Sequence, residues 1–223
     1  MDARFHIAGL TLALRGPDEA LEALDEVYRE FGRRSDAFVA DRRNPHLCCA
    51  GCSHCCKRGA FFALTLVEAV RLSTAVQALP DQFRARVTVD AEHLIQLQQR
   101  IFAEVAGPPD LPGDRDEEHF SARVSKVAAS GPACPLLDGD LCGVYSDRPL
   151  LCRAYGLPVD AYAVQDDSAI VFRSLCHLYA GMQLQDYVRA QDLRGRVLEI
   201  SNRLADCRGR FTSAEAILAR AEP

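Results

Sequence analysis

No stretch of this chain is apolar for long enough to cross a membrane. The nearest thing to a leader is the opening MDARFHIAGLTLALRG, but its second residue is acidic and His6 and Gly9 interrupt the apolar run, which makes it a poor signal peptide. An excess of positive charge is lacking as well: 26 Lys and Arg stand against 31 Asp and Glu, for a net charge of -5. Without an overall cationic field, neither nucleic acid nor an anionic membrane surface is an expected partner. Also missing are a Gly-rich nucleotide loop after a strand, a nucleophile elbow and carboxylates paired at a diagnostic spacing. These gaps weigh against nucleotide-dependent and hydrolytic chemistry. Internal repeats and low-complexity segments are absent too.

What is abundant is cysteine, with 10 in 223 residues, five of them in the segment PHLCCAGCSHCCKRG. A chain of this length that is 48% hydrophobic buries a core without disulfides. The expected compartment is the cytoplasm, where clustered thiols serve as metal ligands or redox groups rather than as structural cross-links.

Most of the sequence carries helical periodicity. Leu21, Leu24, Tyr28 and Phe31 share one face of a predicted helix over about Asp18–Phe31, with Asp18 and Glu19 in its first turn. A polar connection, RRSDAFVADRRNPH, then leads to the cysteines. Thr65 and Glu68 have capping-box spacing, and Leu72, Val76 and Leu79 continue the helix they open until Pro80 ends it. A longer helix is predicted over about Asp81–Ala106 and a short one within DEEHFSARVSKVAAS, with GPPDLPGD as a break between them. The second cysteine region, CPLLDGDLCGVYSDRPLLCRAYG, has an Asp-Gly turn and then a short helix from Asp147. AYAVQDDSAIVFR predicts a hairpin turning at Asp166-Asp167, the one strand pair expected. A helix over about Leu184–Ala205 and a last one capped by Thr212 and Glu215 complete the chain. The expected fold is mainly α: a single helical domain over residues 1–223, with a metal-binding core over about 45–180 and one small hairpin beside it.

The chemistry lies in the cysteine spacing. Cys49, Cys52, Cys55 and Cys56 form C-x2-C-x2-C-C, a compact loop able to turn several sulfurs toward one point. Cysteines at two-residue gaps match the start of a bacterial ferredoxin loop, and the distant Cys134-Pro135 echoes its cysteine-proline end. Zinc competes, because C-x2-C is also a zinc knuckle and Cys49 with Cys52 could join two remote thiolates. Adjacent Cys55 and Cys56 would diverge along an extended backbone, which favours a multinuclear site. Cys134, Cys142, Cys152 and Cys176 form a second set equal in number to the first, so one or two centres are possible. Arg148 and Arg153 flank Cys152 as donors that fix the ligand loop, while Lys57, Arg58, Arg42 and Arg43 place positive charge beside the first set. Cys207 and Cys48 are expected to be spare thiols, and His177 a bystander rather than a ligand.

Together, CAGCSHCC and CPLLDGDLCGVYSDRPLLCRAYG resemble the bacterial cysteine-cluster proteins described as zinc- or iron-chelating and named for their C-x2-C-x2-C-C motif. The likeness runs from about Cys49 to Cys176 and includes Tyr145, Arg148, Pro149, Cys152 and Arg153 of the second signature. It departs at Ser53 and Gly156, where members usually carry glycine and proline. The resemblance implies one metal or iron-sulfur site built from the early quartet and the later cysteines, with Tyr145 beside it. A similar cysteine pattern occurs in flagellin lysine methylases. The expectations are therefore an iron-sulfur cluster of the 4Fe-4S type, or zinc instead, serving electron transfer or the maturation of a protein partner. A zinc-stapled interaction module and a cluster-dependent group-transfer enzyme are the alternatives. The first and last long helices could also form a homodimer contact.

Overall fold

Period-two alternation, not helical periodicity, governs the first residues. The computed structural model describes residues 3–41, 44, 51–59, 61–160, 164–166, 169–171, 176, 186–207 and 209–222. In it, β1 (Ala3–Ile7) and β2 (Leu10–Leu14) pair antiparallel from Ala3 opposite Leu14 to Ile7 opposite Leu10. Phe5 and Ile7 are buried, whereas Arg4 and His6 of the same strand face outward. The two-residue connection uses left-handed backbone at Ala8 (φ 50°) and Gly9 (φ 80°), the turn handedness that suits the strand twist. This hairpin was not among the sequence expectations. The stretch is short and weakly polar, and its alternation is easily taken for a broken apolar run.

Helix α1 spans Pro17–Ala40, well beyond the predicted end at Phe31. The polar residues after Phe31 are the outer face of the same helix, and Phe38 extends the buried stripe of Leu24, Val27, Tyr28 and Phe31. Helix α2 (His54–Lys57) is a single turn in the first cysteine loop. Strand β3 (Ala63–Leu64) then runs into α3 (Leu66–Gln77), whose capping box has Thr65 and Glu68 in the expected roles. Helix α4 covers Asp81–Glu104 and α5 covers Glu117–Ala129, close to expectation. The Asp-Gly turn joins β4 (Leu137–Asp138) to β5 (Leu141–Cys142). A 3-10 turn, η1 (Tyr145–Asp147), precedes α6 (Leu150–Ala154), so Pro149 sits at the helix cap and not within its first turn.

The predicted hairpin forms as β6 (Val164–Asp166) and β7 (Ala169–Val171), with Asp166 opposite Ala169. Its connection therefore lies one residue later than predicted, outside the described residues. Helix α7 is Gln191–Leu204, shorter at its start than expected because Val188 forms a parallel bridge with Val159. Strand β8 (Phe211–Thr212) leads into α8 (Ser213–Leu218) through the Thr212–Glu215 capping box, and β9 (Arg220–Ala221) returns to pair with β1. The mainly helical class is as expected. The single expected strand pair is corrected: among the described residues there is a three-stranded sheet β2-β1-β9 and the pairs β3-β8, β4-β5 and β6-β7.

Helices α1, α3 and α7 pack on one another around a core in which Leu24, Leu66, Leu72, Leu193 and Phe211 are at most 1% exposed. Each such side chain stabilises the fold by roughly 1.5–3 kcal/mol. A second cluster under α4 and α5 joins Phe61, Leu94, Ile101 and Val127, with Phe102 and Phe120 edge to face at 6.1 Å. Strands β3 and β8 pair between the two capping boxes, so α3 and α8 start side by side. None of the helices among the described residues is long and apolar enough to cross a membrane.

Candidate metal centre

Two separated regions of sequence meet through main-chain hydrogen bonds. Cys134 N–H donates to Cys56 O at 2.6 Å, and Gly59 N–H donates to Pro132 O at 3.0 Å. Gly59 has φ +79°, and a Cβ there would stand 2.9 Å from Ala128 O, so only glycine lets the loops approach this closely. Asp140, in the turn between β4 and β5, adds side-chain staples by accepting from Ser53 Oγ at 2.5 Å and from Lys57 Nζ. Ser53 has φ -110°, a conformation open to any residue, and its hydroxyl makes a bond that glycine could not. The departure from glycine at this position thus adds a contact without straining the loop.

Cys52, Cys55, Cys56, Cys134, Cys142, Cys152 and Cys176 all line one cavity of about 1090 Å³. Cys176 is buried, at 6% exposed, and the other six are partly exposed. Cys49, Cys48, His177, Arg42 and Arg43 lie outside the described residues. Cys207 is away from this cavity, buried in the main core with its thiol 3.9 Å from Gly113 O, in keeping with a spare apolar side chain. Among the described residues, no three His, Cys, Asp or Glu side chains already form a group that could hold a metal ion. The cysteines surround a space without closing on a point.

One premise of the sequence reading is corrected. Cys55 and Cys56 do not sit on extended backbone but within the helical turn α2, and their sulfurs are only 3.9 Å apart. A tetrahedral ion with metal–sulfur bonds of about 2.3 Å places two thiolates about 3.8 Å apart, so both could bind the same ion. Adjacency alone therefore gives no preference for a multinuclear site.

The thiols feel one another electrically. The hydrogen bond from Cys56 holds the Cys55 thiol down at about 6, with help from the nearby Arg148 charge, and the same pairing pushes Cys56 up. The pair shares one proton that is hard to remove. Burial raises Cys134 to about 12 and also raises Cys142 and Cys152, and neighbouring thiolates push each of these further up. Arg148, which lines the cavity, opposes this at Cys142 and Cys152. Its guanidinium stacks 3.6 Å from the centre of the exposed Tyr145 ring and its Nε donates to Tyr145 O at 3.1 Å.

Arg153 acts differently. Its Nε donates to Arg148 O at 2.7 Å, another nitrogen donates to Ser146 O, and its guanidinium lies 4.1 Å over the Tyr28 ring. It ties the loop before α6 to itself and to α1. From the other side, Arg86 of α4 donates to Pro135 O at 3.2 Å and Leu137 O at 2.8 Å, fixing the segment after Cys134.

Several residues at this site were not foreseen. Tyr155, whose hydroxyl is raised by burial and by Cys55, Cys176, Cys152 and Cys56, stands where cysteines of the first loop, of α6 and of the late segment come near one another. Asp140 and Glu68 line the cavity too. Tyr155 was legible only as part of the second signature, and nothing local to Asp140 announces a bond to residues so far back in the chain.

The shifted thiols predict an order of reactivity in metal-free protein. Cys55 is held down while Cys56, Cys134, Cys142 and Cys152 are pushed up, so iodoacetamide should label Cys55 before those four in a peptide map. In Cys56→Ala the hydrogen bond is lost and the Cys55 thiol rises toward its ordinary value, so labelling at pH 7 should slow by about tenfold or more. Unchanged labelling in that variant would refute the assignment.

A family model described as "CxxCxxCC: Putative zinc- or iron-chelating domain" matches residues 48–177. No curated protein and no solved structure shows significant similarity to the chain. The match covers more than half of the chain and contains both loops that meet at the cavity. The chain belongs to this CxxCxxCC family of zinc- or iron-chelating domains.

Proposed function

We propose that this protein carries an iron-sulfur cluster of the four-iron type and uses it to transfer electrons or to support the maturation of a protein partner. The observation that carries this reading is the number of thiols on one cavity. Seven described cysteines line it, more than one tetrahedral ion can engage, and the early ones keep the two-residue gaps of a ferredoxin loop. The donor set fits the group: soft sulfurs, a facing arginine and a partly dry wall are what a thiolate-held cluster requires. Bound there, the cluster would supply one-electron chemistry, and the chain would supply the ligands, Arg148 to offset their charge and a sheltered space.

A protein partner is supported by the cavity's rim. Among the described residues, five large apolar side chains are well exposed, and Val39, Leu141 and Tyr145 of these line the cavity. An arginine-stacked tyrosine is the kind of group that dominates protein contacts.

The 3.9 Å separation of Cys55 and Cys56 favours a second reading, zinc in a structural module. Iron, zinc and acid-labile sulfide, measured with a visible spectrum on protein purified without oxygen, separate the two. Near-equal iron and sulfide with a brown chromophore is the expected result. Stoichiometric zinc without sulfide would remove the redox role and leave the module.

A further inference from the structure

The two capping boxes of this fold are built alike and used differently. In each, a threonine caps the helix and the glutamate three residues later reaches back to the threonine N–H. Glu215 spends its remaining capacity on Arg115, whose nitrogens approach its two oxygens at 2.6 and 2.7 Å, and on Gln98 at 2.9 Å. Those partners belong to the core beneath α4 and α5, away from the thiols.

Glu68 is 7% exposed and lines the thiol cavity. Its Oε2 accepts from Thr65 N–H at 3.2 Å and Thr65 Oγ1 at 2.9 Å, while Oε1 accepts from Leu150 N–H at 2.9 Å. Leu150 is the first residue of α6, the short helix that carries Cys152. The preceding Pro149 has no N–H, so this bond satisfies the first main-chain donor that α6 presents. One turn further along α3, Arg71 Nη1 lies 3.7 Å from Asp147 Oδ1, just before α6. Two side chains of α3 therefore hold the segment that delivers Cys152.

We propose that Glu68 is a positioning residue of the metal centre: its carboxylate fixes α6 against α3 and thereby sets where the Cys152 sulfur stands. Three donors of the protein already share the two oxygens of Glu68, and it belongs to no group of three ligand-type side chains among the described residues, so its part is to position and not to ligate. The proposal rests on the reading that Cys152 binds the metal. An apolar residue here would strand the buried Leu150 N–H, and a glutamine would turn a donor toward either that N–H or Thr65.

The test compares Glu68→Gln with Glu215→Gln in the full chain, each as purified with its iron or zinc. The readout is the rate at which EDTA removes the metal, beside the urea midpoint of the metal-free protein. Glu68→Gln should release metal about tenfold faster, the size of effect that outer partners of metal ligands commonly have. Glu215→Gln should lower the urea midpoint while leaving the release rate unchanged. Wild-type release from Glu68→Gln, or equal acceleration in both variants, would overturn the proposal. If Glu68→Gln does not fold, Glu68→Asp, which keeps the charge but withdraws it, should show the same faster release. Cys152→Ser tests the underlying reading by itself: wild-type metal content there refutes ligation by Cys152, whatever Glu68 does.

Discussion

Cys52→Ser and Cys152→Ser, made singly, are each expected to lose most of the metal that the wild-type protein carries. Cys52 comes from the first loop and Cys152 from α6, yet both line the same cavity. A serine hydroxyl stays protonated at neutral pH and is a poor ligand for a soft site. If four ligands share the roughly 10–16 kcal/mol of a structural thiolate site, losing one weakens binding by about two to three orders of magnitude. Elemental analysis per chain, on anaerobically purified protein, reads the effect directly. Cys207→Ser serves as the internal reference and should keep its metal, since that thiol lies in the main core. Unchanged metal content in both test variants would sink the convergence of the two regions on one centre.

The largest expected loss of stability lies elsewhere, at Arg115. Its side chain is 1% exposed and donates to Asp110 at 2.7 and 2.8 Å, to Glu215 at 2.6 and 2.7 Å and to Arg210 O at 2.7 Å. Its guanidinium also lies 4.5 Å over the Phe120 ring. Arg115→Leu keeps the bulk and removes the charge, leaving the carboxylate of the buried Glu215 without its cation. Breaking one side of a buried pair costs about 3–5 kcal/mol. Urea unfolding should show that loss as a lower midpoint. The double variant Arg115→Leu with Glu215→Gln should regain part of it, because the stranded charge is then gone. A cost below about 1 kcal/mol for the single change, the scale of an exposed pair, would mean that the network contributes little.

How much of this was legible in the sequence depends on how far apart the interacting residues are. The capping boxes at Thr65–Glu68 and Thr212–Glu215 could be read directly, because a cap is decided within four residues. So could the helical faces, the Asp-Gly turn before Leu141 and the cysteine spacing. The N-terminal hairpin was hidden by its brevity, and the extension of α1 to Ala40 by a polar face that resembles a linker. Cys55 and Cys56 were misjudged for a local reason: a one-turn helix has too few residues to show a period, so the extended geometry seemed the natural default. Glu68 and Arg115 illustrate the other limit. Each belongs to a recognisable local pattern or none at all, but its decisive partner, Leu150 N–H for one and Glu215 for the other, is brought near only by the packed fold.

The bonds from Cys134 N–H to Cys56 O and from Gly59 N–H to Pro132 O tie the two cysteine regions together with main-chain atoms alone. A ligand set drawn from such distant parts of a chain would ordinarily charge its metal for closing the intervening loop, a cost that grows with loop length. Here folding has already borne that cost, since α3, α4 and α5 fill the intervening sequence and pack into the hydrophobic clusters. The two cysteine loops are thus joined before any ion arrives, and what is left to binding is the closing of the sulfurs on one point.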